Sequence, residues 1–295
     1  MADAPWRVIE GSDDNYRNIS VGRQIEEAIR HHLDRASVKQ QRVDAAPLMA
    51  SIDGIRLLDK LPLDHPLTKE EYKIRLEELQ GRLNGLSRHP QFKDFSVVCV
   101  FEGMDAAGKG GAIRRITAAL DARQYRTIPI AAPTDEERAQ PYLWRFWRHI
   151  PPHGQITLFD RSWYGRVLVE RVEGFASRAD WMRAYGEIND FEAQIGAANV
   201  IVVKFWLAIS NEEQLQRFKG REAIEYKRFK ITEEDWRNRE RWDDYVGAAS
   251  DLIERTSTPN APWHCIGANN KYHARIEVLT HLCERIEHAI GVRKK

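Results

Sequence analysis

The sequence predicts an α/β fold: a parallel sheet with helices on both faces. Three observations predict it. Short apolar runs alternate with longer segments of helical spacing, from "FSVVCVFEG" (residues 95–103) to "APWHCIGA" (residues 261–268). Parallel strands joined by crossover helices read this way in sequence. A glycine-rich stretch, "GMDAAGKGG" (residues 103–111), stands between the first such run and the helical segment after it. One run, "VIVVKFWLAIS" (residues 200–210), is apolar enough for a strand buried on both faces.

Each element can be justified in chain order. Residues 1–45 form an N-terminal extension, polar and mixed in charge, with a marginal helix expected near "GRQIEEAIRHHLDRASVKQQR" (residues 22–42). No linker divides the remainder, so 46–295 is expected to be one domain. "HPLTKEEYKIRLEELQGRLNGLSRH" (residues 65–89) reads as a helix. Thr68 with Glu71 three residues on suits a capping box, and Tyr72, Leu76, Leu79 and Leu83 keep helical spacing. The first strand, the glycine-rich loop and the helix "GGAIRRITAALD" follow, and then "RTIPIAAP" as a second strand. "DEERAQPYLWRFWRHIPP" (residues 135–152) is expected to be one helix, with Trp144 and Trp147 on one side and Pro151 and Pro152 ending it. "GQITLFDRS" is a third strand, "WMRAYGEINDFEAQIGAAN" a helix and "VIVVKFWLAIS" a fourth strand. Residues 211–256 are helical and charge-rich. The part at 211–245 has too few apolar positions for a buried helix pair and is expected to stand out as a mobile lid. "APWHCIGA" is a fifth strand and "ARIEVLTHLCERIEHAIG" the closing helix.

Composition narrows the function. The chain has 295 residues and a formal net charge of +1, so bulk electrostatics favour neither nucleic acid nor membrane as a partner. No apolar run approaches a membrane span, and the start lacks the apolar stretch of a signal peptide. Cys99, Cys265 and Cys283 are far apart and odd in number, as expected of reduced thiols. These observations predict a cytoplasmic protein.

Gly103, Gly108 and Lys109 match the Walker A spacing G-x-x-x-x-G-K. Ala106, Ala107, Gly108, Gly110 and Gly111 are small enough for backbone N–H groups to converge on phosphate, and Lys109 adds a point charge. The alternative is a tight glycine turn between strand and helix. Gly110 stands where a Ser or Thr hydroxyl usually holds magnesium. Another oxygen ligand is then needed, and Asp105, within the loop, is the first candidate for the metal. Its alternative role is accepting N–H bonds from the loop. Asp160 ends an apolar strand, as Walker B carboxylates do, and is the second metal candidate. Arg161, Arg166 and Arg171 follow within eleven residues. Arg114, Arg115, Arg123 and Arg126 could line a groove for a polyanion or form a solvated face. His149 and His153 lie at a helix end and a Pro-rich turn, which suffices to explain them.

Taken together, "EGMDAAGKGG", "EERAQPYLWRFWRHIPP", "FDRSWYGRVLVERVEGF" and "APWHCIGANNKYHARI" resemble the family-2 polyphosphate kinases, most of all the polyphosphate:AMP phosphotransferase branch. The resemblance covers about residues 50–295. It implies a thymidylate-kinase-like P-loop kinase fold with a helical lid at about 211–245. It implies transfer of a phosphoryl group between inorganic polyphosphate and an adenine or guanine nucleotide, with Mg²⁺, in a homo-oligomer (dimer or tetramer). By motif match, the resemblance places Asp105, Lys109, Asp160, Arg161, Arg217 and Arg221 in catalysis, with the two aspartates on the metal. Arg161, Arg166 and Glu170 are expected at the nucleotide, and Tyr164 or Trp163 beside them could stack on it, although core packing is the commoner role for either aromatic. Members of this branch often carry two fused modules, and this chain has room for one. The lid reads "EYKRFKITEEDW" where other branches carry a "WK" pattern, and Asn269 and Asn270 stand where Asp is common. No family counterpart is identified for the first 45 residues. Two competing readings are an ATP-driven P-loop kinase for a nucleotide or small molecule, and a nucleotide-binding switch protein. No guanine-recognition motif supports the switch.

Overall fold

Strand β1 (Ser96–Gly103) is buried along nearly its whole length, and its side chains supply two separate cores. Val97, Cys99 and Phe101 point to one face and Val98 and Val100 to the other, following the period of two of a strand. The structure, a computed structural model, describes residues 6–37 and 56–292. The chain falls into two compact units, Met1–Asp44 and Ala45–Lys295. The expected boundary between residues 45 and 46 lies outside the described residues.

In the first unit, helix α1 spans Asp14–Ser37, starting eight residues before the expected one. Residues 38–42 of that expectation lie outside the described residues. The second unit is the α/β domain. β1 is joined by β2 (Tyr125–Pro129), β3 (Ile156–Asp160), β4 (Val200–Ala208) and β5 (Trp263–Gly267) in a five-stranded sheet. The spatial order is β2-β3-β1-β4-β5 and every pairing is parallel.

Helices α2 (Lys69–Ser87) and α3 (Lys109–Thr117) supply buried side chains to one face of the sheet. The capping box of α2 is present: the Thr68 N–H donates to Glu71 Oε2 at 2.9 Å and the Glu71 N–H donates to Thr68 Oγ1 at 3.2 Å. The expected helix at 135–152 is instead two short ones, α4 (Asp135–Arg138) and α5 (Trp144–Trp147). Pro141 between them lacks an N–H and disfavours helical backbone in the residue before it. α6 (Val169–Val172) is a single turn, and α7 (Arg178–Ala197) contributes to the second face. α8 (Asn211–Glu222), α9 (Glu233–Glu240) and α10 (Trp242–Thr256) make up the charge-rich region. α11 (Lys271–Ile290) returns to the first face, capped at its start by Asn270. Among the described residues no helix is long and apolar enough to cross a membrane.

β4 carries one charge into the second core. Lys204 is fully buried, and its Nζ donates to Glu192 Oε2 (2.7 Å), Tyr164 Oη (2.9 Å) and the Thr256 carbonyl (2.7 Å). Glu192 Oε1 also accepts from Trp163 Nε1 (3.1 Å) and Tyr164 Oη (2.7 Å). Burial favours the neutral form of each partner, pushing the Lys204 pKa down and the Glu192 pKa up, while their mutual attraction opposes both shifts. This network fixes the turn immediately after β3.

Candidate active site

The parallel register pairs Phe101 of β1 with Asp160 of β3, so the glycine-rich loop and the expected Walker B carboxylate leave the sheet side by side. Sheets of this kind bind ligands at the carboxyl ends of their strands.

The loop's shape depends on its glycines. Gly103 has φ +139°, and a Cβ there would lie 2.3 Å from the Leu207 carbonyl oxygen. Gly108 has φ +116°. Ala106 and Arg161 are non-glycine residues held at φ +62° and +64°. Backbone of this kind persists where surrounding structure over-determines it, commonly at functional sites. Lys109 Nζ donates to the carbonyls of Gly103 (2.6 Å) and Met104 (3.3 Å), closing the loop on itself. Burial lowers its pKa, and Asp105 pulls the other way.

Asp105 is held on both oxygens. Arg161 Nη2 donates to Oδ1 at 3.0 Å and Asn238 Nδ2 donates to Oδ2 at 2.9 Å. Burial pushes its pKa up, but Lys109, Arg161 and the Asn238 bond outweigh burial and leave it below the ordinary value. Asp160 has no side-chain hydrogen bond or ion pair among the described residues. Its Oδ2 lies 3.9 Å from where a side chain at Gly110 would begin, so it faces the seat of the missing hydroxyl. Among the described residues no three His, Cys, Asp or Glu side chains could enclose a metal by themselves. Two protein carboxylates completed by phosphate oxygens and water suit Mg²⁺.

Asp105, Lys109, Gly110, Asp160, Arg161 and Arg221 share one cleft of ≈ 340 Å³. Ala106, Ala107 and Gly108 also border a second cleft of ≈ 560 Å³, where Arg114, Arg221, Lys271 and Arg275 gather. Of the four groove candidates, only Arg114 reaches these clefts. Arg115 donates to the Tyr72 hydroxyl (3.2 Å), and Arg123 pairs with Asp121 (2.8 Å).

Two expectations need correction. Arg217 does not extend from a solvated lid. It is buried, and all five of its N–H groups are engaged. Nε donates to Glu213 (2.6 Å), Nη1 to the carbonyls of Ala106 (2.9 Å) and Ala107 (3.0 Å), and Nη2 to those of Ala268 (2.6 Å) and Asn269 (2.9 Å). It braces the loop from behind. Tyr164 does not face a nucleotide either, because its ring is wholly buried and its hydroxyl belongs to the Glu192–Lys204 network. Tyr164→Phe is expected to lower stability by about 2 kcal/mol and to leave the KM for nucleotide unchanged. Thermal melting and initial-rate kinetics on the same sample check this.

Arg166 and Glu170 pair with each other at 2.7 Å, and Arg166 lies over the Tyr142 ring. The acidic residue that meets the charged segment is Glu173, three positions further on. Arg237 (3.3 Å) and Arg241 (3.4 Å) both pair with it. Glu102, Glu173, Gln214, Asn238, Lys271 and Arg275 were all missed in the sequence. Buried Glu102 accepts from the Ser162 hydroxyl at 2.9 Å, and burial pushes its pKa up. Gln214 Nε2 donates to the Asp105 carbonyl at 3.1 Å. A basic pair at the start of α11, "KYHAR", was the signal for Lys271 and Arg275.

Comparison with known proteins places the chain in a family. A polyphosphate:AMP phosphotransferase of Pseudomonas aeruginosa is 58% identical over 286 residues, covering 97% of this chain and 58% of that protein. An ADP-polyphosphate phosphotransferase 2 of Rhizobium meliloti is 40% identical, covering 75% of this chain and 73% of its own length. A crystal structure described as a polyphosphate kinase 2 from Pseudomonas aeruginosa superposes with a TM-score of 0.87 at 56% identity, over 98% of this chain and 60% of that one. The chain thus spans about three fifths of the length of the relatives that match it along nearly its whole extent. The pattern of the polyphosphate kinase 2 family matches residues 66–294, from the start of α2 through the loop, both carboxylates and α11. With the loop, Asp160 and the charged segment all inside that match, the chain belongs to the polyphosphate kinase 2 family.

Proposed function

We propose that the chain transfers a phosphoryl group between inorganic polyphosphate and a nucleoside mono- or diphosphate, reversibly, taking AMP to ADP and/or ADP to ATP. The observation that carries this reading is the pair of cationic clefts sharing one phosphate loop. One cleft holds the two carboxylates. The other, with Arg114, Arg221, Lys271 and Arg275, suits a polyanion longer than a nucleotide's own phosphates.

Phosphoryl transfer needs positioning and charge neutralisation rather than a covalent protein intermediate. The loop amides and the dipole of α3 hold the donor's terminal phosphates. Lys109 closes the loop and brings positive charge beneath it. Asp105 and Asp160 would hold Mg²⁺, which supplies neutralisation between donor and acceptor phosphates when bound. Arg161 and Arg221, which line the same cleft, would neutralise charge on the transferred group. Arg217 keeps the loop in its active shape. The nucleotide is an adenine or guanine nucleotide, and the protein works in the cytoplasm as a homo-oligomer.

The test supplies polyphosphate as sole donor to AMP, ADP and GDP at several Mg²⁺ concentrations. Product formed without ATP is the expected outcome. Phosphorylation by ATP alone, with none from polyphosphate, would replace this reading with the ATP-driven kinase.

A further inference from the structure

Asn238 is a buried side chain on the charged helix α9, far in sequence from the loop it touches. Its Nδ2 donates to Asp105 Oδ2 at 2.9 Å. A carboxylate can only accept, so the amide nitrogen has to face it. The amide oxygen is in turn fixed by the Tyr245 hydroxyl at 3.2 Å, which also lies 3.4 Å from Glu173 Oε1. Glu173 holds α9 through Arg237 and the turn just after it through Arg241. A run of contacts thus leads from the end of α6, through Tyr245 and Asn238, to one oxygen of the loop aspartate.

Two features of this contact matter. Asn238 adds no charge, so it neither competes with a cation as an arginine would nor repels Asp105 as a carboxylate would. Each carboxylate oxygen also offers two lone pairs, so the Asn238 bond leaves one free on Oδ2. Groups that hold a ligating carboxylate in place commonly change metal affinity 10–100-fold when lost. Here that group rides on a different element from the ligand. The orienting bond exists only while α9 is docked.

We propose that Asn238 is a positioning residue for Asp105, through which docking of α9 and divalent-cation binding at the loop reinforce each other. The proposal rests on Asp105 being a cation ligand. Coupling of this kind is reciprocal: whatever docked α9 adds to cation affinity, the cation adds to docking.

The experiment is hydrogen–deuterium exchange over residues 233–240 of the full chain. Mg²⁺ is titrated in the presence of short-chain inorganic polyphosphate. Mg²⁺ should slow exchange in the wild type and have no effect in Asp105→Asn. Asn238→Ala should raise the Mg²⁺ midpoint about tenfold, and its kcat should recover toward wild type at saturating Mg²⁺. Tyr245→Phe should move the midpoint in the same direction by less, and carries the test if Asn238→Ala does not fold. An unchanged midpoint in these variants overturns the proposal. So does a lowered one, which would make Asn238 a shield over Asp105. Wild-type exchange that ignores Mg²⁺ overturns it as well, and phosphoryl transfer by the same sample then shows whether the proposed function survives.

Discussion

Asp160→Asn is expected to lower kcat by about 10³-fold, some 4 kcal/mol of transition-state stabilisation, with little change in melting temperature. The asymmetry follows from what each carboxylate touches. The Asp160 carboxylate has no hydrogen-bond or ion-pair partner among the described residues, so an amide of the same shape leaves no neighbour unsatisfied. Its oxygen faces Gly110, where a loop hydroxyl would otherwise sit, so losing the charge strikes the position where a cation ligand is needed. Asp105→Asn should also lose activity but is the less clean experiment. Its new amide nitrogen would face either Arg161 or Asn238, both donors. A Mg²⁺ titration of rate beside a melting curve checks the difference. Near-wild-type rates with unchanged Mg²⁺ dependence in Asp160→Asn would take this residue off the metal.

Arg217→Ala is expected to act first on the fold. Removing it leaves four backbone carbonyls and Glu213 without their donor in a buried setting. Breaking such an arrangement from one side costs about 3–5 kcal/mol. That corresponds to a melting temperature lower by roughly 10 °C in a domain of this size. Arg221, one turn further along α8, lines both clefts. Arg221→Ala should do the reverse and slow transfer at least about tenfold while melting near the wild-type temperature. Equal stability of the two variants would show that Arg217 is not a brace.

The two arginines also show where sequence reading stops. "QLQRFKGRE" announces two positive charges four residues apart on a helix, and nothing in that spacing says which one turns inward. Phe218 beside Arg217 is fully buried, its ring 5.2 Å from that of Trp236 on α9, so this side of α8 is covered by a segment far along the chain. The strands were legible because their apolar runs are short and bounded, and the α2 capping box because its chemistry is local. That Asp105, Lys109, Asp160 and Arg161 would meet at one end of the sheet was legible, because the loop and strand that carry them have their own patterns. Asn238, Glu173 and Gln214 were not, because each acquires its role only when distant segments meet. Tyr164 could be read two ways, as a base-stacking group beside a Walker B strand or as a core aromatic, and satisfying Lys204 puts it in the core.

That buried lysine on β4 also bears on how such a sequence can drift. Lys204 and Glu192 lie on neighbouring elements, twelve positions apart, and each is the other's charge partner in a buried core. Losing either alone strands the other, whereas replacing both with apolar side chains of matching volume can be neutral or better. The two positions are therefore separated from an all-apolar core by a valley that single substitutions must cross. A lineage that acquires the pair is ratcheted into keeping it, whether or not the charges serve the reaction.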